Sequence, residues 1–91
     1  MRDDEMLRRP RLRKGCRLRK DEAVVLVPEG IVRLQGSGFA VLALCDGQRS
    51  IAEILQALGL QFPQTNALEL RKETLAFIEG LEGRGVVEFV A

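Results

Sequence analysis

At Gly36-Ser37 the spacing of the apolar residues changes from two to between three and four, and this switch separates a stretch of strands before it from a run of helices after it. Upstream, Arg11 to Lys20 alternates, with Leu12, Cys16 and Leu18 on one side and Arg11, Arg13, Arg17 and Arg19 on the other. That pattern predicts one half-buried strand, in spite of Lys14 and Gly15. Val24 to Val27 is a largely β-branched run stopped by Pro28, which suits position i+1 of a type I turn with Gly30 at i+3. A hairpin follows. Beyond the turn, Val32 and Leu34 point one way and Ile31, Arg33 and Gln35 the other, as in a strand with one face on a core.

Downstream, GFAVLALC is apolar on every side, the pattern of a short helix enclosed by neighbours, with Ser37 to cap its start and Asp46-Gly47 to end it. In SIAEILQAL, Ser50 and Glu53 have capping-box spacing, and Ile51, Ile54, Leu55 and Leu58 form the buried stripe. Gly59 closes this helix and Pro63 prevents its resumption. A third helix starts near Asn66 and runs to about Glu82, its apolar residues spread over about half the circumference, with Arg71 and Thr74 inside that arc. Such an arc is either plain core with snorkelling side chains or core on one flank and a ligand groove on the other. Val86 to Val90 reads as a closing strand. The fold class is therefore α+β: an N-terminal antiparallel sheet of two or three strands, a three-helix bundle and a short C-terminal strand, in the order of a small winged helix-turn-helix-like domain.

Ninety-one residues allow one domain with a thin stability margin and no large catalytic cleft. Residues 1–20 hold nine Lys or Arg against three acids, whereas residues 21–91 hold five against ten. Residues 1–10 read as a flexible tail ahead of a domain over 11–91. The longest apolar run falls far short of the ~20 residues that cross a bilayer, and MRDDEMLRRP lacks the apolar stretch of a secretory signal, so a soluble, cytoplasmic chain is expected. Cys16 and Cys45 read as reduced thiols.

Catalysis is not expected. There is no histidine, which removes the commonest general base and neutral metal ligand, and two distant cysteines fit neither a zinc site nor a Cys/His nucleophile. Asp46-Gly47 between helices is turn chemistry, and Gly36-x-Gly38 lacks the context of a dinucleotide site. No catalytic residue, metal or cofactor is therefore assigned. A winged-helix plan raises DNA binding through the third helix, but that helix carries Glu69, Glu73, Glu79 and Glu82 against Arg71 and Lys72, and would repel phosphate. Only the basic N-terminal segment keeps a DNA-binding regulator as an alternative.

An interaction module remains. The ordered set PEGIVRLQ, LCDGQRSIAEIL and a closing amphipathic helix with GRGVVEF resembles the PqqD family of pyroloquinoline quinone biosynthesis, from about Pro10 to Phe89. Its most telling parts are Pro28-Glu29-Gly30 followed by Leu34, and Leu44-Cys45-Asp46-Gly47 followed by Ala52-Glu53-Ile54.

The resemblance implies a peptide chaperone, a recognition element for ribosomally made, modified peptides. Such proteins hold the leader of the precursor PqqA and present it to the radical S-adenosylmethionine enzyme PqqE. Similar domains serve other modified-peptide pathways. In the family the leader adds beside the third strand of the small sheet and packs against the third helix, which here implies Ile31, Val32, Arg33, Leu34 and Gln35, and roughly Leu68 to Ile78. The residue pattern agrees with such a use, because an unpaired strand offers backbone groups to any extended peptide. Arg71 and Thr74, set among Leu70, Leu75 and Ile78, would line a partly apolar groove, and Arg33 would pair with an acidic leader residue. The competing reading is an edge covered by the N-terminal segment or by a second copy in a homodimer.

Overall fold

A computed structural model describes residues 3–90 and places regular structure ahead of residue 11. Helix α1 spans Asp3–Leu7, and strand β1, Arg9–Leu12, pairs antiparallel with β5, Val87–Val90. The segment expected as a flexible tail thus holds a helix and half a strand from Asp3 to Pro10, while Met1 and Arg2 lie outside the described residues. Pro10 is tolerated in β1 because its carbonyl turns away from β5 and accepts the Gly47 N–H at 2.9 Å, so its missing N–H removes no bond from the β1–β5 ladder. The Arg8 carbonyl accepts from the Ile51 N–H at 2.9 Å, which lodges the segment between β5 and the loop before α3. Arg8 also stacks 3.6 Å from the centroid of the Phe89 ring, and Arg11 donates to Glu88 at 2.7 Å.

The single strand expected over Arg11 to Lys20 is two strands in different sheets. Gly15, with φ of 95°, turns the chain where an L-residue would be strained, and β2, Arg17–Arg19, joins β3, Val24–Val27. β3 pairs in turn with β4, Gly30–Arg33, giving a three-stranded antiparallel sheet in the order β2-β3-β4. Gln35, expected within this last strand, lies past its end. Val25 faces the core, with Val32 and Leu34 beside it.

Three helices follow: α2, Gly38–Ala43, α3, Ile51–Gln61, and α4, Ala67–Gly83. Ser37 occupies the N-cap of α2 without bonding, because its ψ of 2° is far from the extended conformation that aims a cap side chain at the helix. The Ser50–Glu53 capping box of α3 is complete, its two bonds measuring 3.2 and 2.8 Å. α3 runs through Gly59, where a side chain would meet open space, and stops at Phe62, which Pro63 forces out of the helical region. Asn66 caps α4 by accepting from the Leu68 and Glu69 N–H groups. Gly85, with φ of 79°, reverses the chain after α4, and the Val86 N–H returns to the Leu81 carbonyl.

Candidate functional site

The backbone bond from the Leu34 N–H to the Ala23 carbonyl, 3.0 Å, fixes the parity of the β3–β4 ladder. In an antiparallel pair bonded and non-bonded partners alternate, so Val25/Val32 and Val27/Gly30, in phase with Ala23/Leu34, exchange bonds, while Ile31 and Arg33 turn their N–H and C=O groups away from β3. Among the described residues no strand pairs with that side of β4. The edge is therefore open over Gly30–Arg33, and Ile31, 59% exposed, stands on its outer face beside Arg33.

The other expected site residues divide by burial. Leu34, Leu70, Thr74 and Ile78 are core residues, Thr74 being 2% and Ile78 0% exposed, and of the four Leu70 also lines, with Arg71, a cleft of about 510 Å³ between α3 and α4. Val32, Arg71 and Leu75 are half-buried, and Gln35 is exposed. The solvent side of α4 instead brings together Leu68, Arg71, Lys72 and Leu75 around a shallow cleft of about 490 Å³, with Leu68 75% exposed. These positions obey the i, i+3, i+4, i+7 spacing of one helix face, so the stripe is visible in the sequence once the buried face of α4 is known.

β4 and α4 pass each other in opposite directions. Gly30, Ile31 and Val32 share a cleft of about 420 Å³ with Arg84 and Val86, just beyond the end of α4. Further along, a β-carbon on Gly38 would lie 3.8 Å from Leu34 Cβ and 3.0 Å from Phe77 Cζ, which places the end of β4 near the middle of α4. Arg84 is a functional candidate that no local sequence signal marks, because chain reversal at Gly85 brings it to the hairpin.

Asp46 and Cys45 are structural. Asp46 accepts from the Arg49 and Gln48 N–H groups at 3.0 and 2.9 Å, which holds its carboxyl below the usual carboxylate range, and its other oxygen meets Arg49 Nη1 at 2.8 Å. This is the turn chemistry expected of Asp46-Gly47. Burial pushes the Cys45 thiol up to about 12, with the Asp46 charge adding to the shift, so it is a poor nucleophile. Both cysteines are free thiols. Among the described residues no group of three or more His, Cys, Asp or Glu side chains is arranged to hold a metal ion, and no helix is long and apolar enough to cross a membrane.

The family model described as Coenzyme PQQ synthesis protein D (PqqD) matches residues 22–87, the segment from the β3–β4 hairpin into β5. A PqqA binding protein of Azotobacter vinelandii is 40% identical over 83 residues, covering 87% of this chain and 88% of the relative. A PqqA binding protein of Pseudomonas aeruginosa is 39% identical over 74 residues, covering 77% of this chain and 78% of that protein. The bifunctional coenzyme PQQ synthesis protein C/D of Methylorubrum extorquens is 36% identical over 83 residues, which cover 87% of this chain and 22% of the fusion. No solved structure matches the chain significantly. A match over most of the chain, carried by the hairpin with the open edge and the helices behind it, makes this chain a member of the PqqD family.

Proposed function

We propose that the chain is a peptide chaperone of pyrroloquinoline quinone biosynthesis, which binds the leader of a PqqA-type precursor as an added strand on β4 and presents it to a PqqE-type radical S-adenosylmethionine enzyme. The names of the relatives support PqqA as the ligand. The observation that carries the strand-addition reading is the outward direction of the Ile31 and Arg33 backbone groups on an edge left open among the described residues. Backbone pairing supplies affinity with little sequence preference, and the stripe of Leu68, Arg71, Lys72 and Leu75 offers apolar and cationic side chains on α4 for selectivity. From Leu68 to Arg84 the helix rises roughly 24 Å at 1.5 Å per residue, the span of roughly seven extended residues. In this reading the chain has no catalysis of its own, works in the cytoplasm, and uses a winged helix-turn-helix-like order of hairpin and helices as a peptide cradle.

The test is amide hydrogen exchange with and without PqqA precursor peptide. Strand addition protects the Ile31 and Arg33 amides, and Ile31→Pro, which deletes an outward donor without breaking the β3–β4 ladder, weakens binding at least about tenfold. Tight binding with both amides still exchanging as in the free protein rules the mode out.

A further inference from the structure

We infer that the cleft beneath the β3–β4 turn takes a carboxylate side chain of the bound peptide, so that the peptide is selected by charge at this end of the open edge. The inference rests on the strand-addition reading and adds the chemical class of residue that one end of the groove accepts. Three turns meet there. A β-carbon on Gly15 would lie 3.7 Å from Pro28 Cγ, and one on Gly85 would lie 3.7 Å from Arg13 Nη1, so the Lys14-Gly15, Pro28-Glu29 and Arg84-Gly85 turns form one rim. The Arg13 N–H bonds the Val86 carbonyl at 2.9 Å and ties two of them together.

Two clefts, of about 420 and 250 Å³, share Val27, Glu29, Arg84 and Val86 and form a continuous depression. Its charged lining is Arg13, Lys14 and Arg84 against Glu29. Arg13 is 3.9 Å from Glu88, at the limit of pairing, and among the described residues neither Lys14 nor Arg84 has a carboxylate within 4.0 Å. An excess of cations in a recess is most readily offset by an anion from outside, and Arg offers a carboxylate two parallel donors. The edge residues Gly30, Ile31 and Val32 line the larger cleft, so a strand laid along β4 delivers a side chain into it.

The experiment titrates the protein calorimetrically with PqqA precursor peptide, and with analogues in which each Asp or Glu is replaced in turn by Asn or Gln. The double variant Lys14→Gln, Arg84→Gln alters two exposed side chains, and its unfolding midpoint serves as the folding control. It is expected to bind the precursor roughly tenfold more weakly and with a flatter salt dependence. One analogue loses the same factor against the original protein and nothing further against the variant. If the double variant binds as the original does while the Ile31 and Arg33 amides are protected, the charge-reading inference falls and strand addition stands. If those amides are not protected, both fall.

Discussion

Leu34 and Ala23 are joined by a single backbone hydrogen bond of 3.0 Å, which a residue in the left-handed region accepts and which reveals the direction of the open edge. Ala23 has φ of 51°, the left-handed region that costs an L-residue roughly 1–2 kcal/mol, and it presents its carbonyl to Leu34 from that conformation. The bond lies one pair beyond the β3–β4 ladder and is in phase with it, which is why Ile31 and Arg33 face outward.

Ala23→Gly removes the Cβ strain at the cost of a more flexible unfolded chain, so a net gain of about 0.5–1 kcal/mol is expected. Urea denaturation reads it directly. A lower midpoint would show that the position is not strained in solution.

Ile78 and Leu75 lie three positions apart on α4 and should behave oppositely. Ile78→Ala opens a cavity in the core and is expected to destabilise by about 2–4 kcal/mol, while leaving the peptide affinity of the folded fraction unchanged. Leu75→Ala trims the half-buried end of the exposed stripe, so stability should fall by about 1 kcal/mol or less, with a several-fold loss of peptide affinity. Thermal unfolding and calorimetric titration of both variants separate the two effects; an affinity loss confined to Ile78→Ala would place the groove elsewhere.

Removal of residues 1–12 deletes β1 with its pairing to β5, together with the bonds that Pro10 accepts from Gly47 and Arg8 accepts from Ile51. A loss of about 2–4 kcal/mol is expected, a large share of the stability of a domain this small. An unchanged denaturation midpoint would show that β1 contributes nothing to the fold, and that the region before residue 13 behaves as a tail.

Much of this molecule is legible locally. The change of period at Gly36-Ser37, the Ser50–Glu53 box, the Asn66 cap, the Pro28 turn and the Asp46 turn each depend on residues within a few positions of one another, and each places its element. Of the candidate site, the facing of β4 is legible for the same reason, since Val32 and Leu34 alternate with Ile31 and Arg33, whereas the unpaired edge is a matter of strand order in the folded sheet.

Sequence alone determined the hairpin of β3 and β4, the three helices after it and the closing strand, because these follow from backbone propensity and short-range order, and its ordered motifs carried the resemblance to the PqqD family. Tertiary packing decided the rest. The Arg11–Glu88 pairing joins residues 77 positions apart, and nothing near Arg11 announces it, so a charged terminal stretch became β1. The apolar arc of α4 is wider than the face any one neighbour can bury, so only the packed fold could send Thr74 and Ile78 inward and leave Leu68 and Leu75 at the surface. The gathering of Arg13, Lys14 and Arg84 depends on three separate turns meeting in space, which no local spacing encodes.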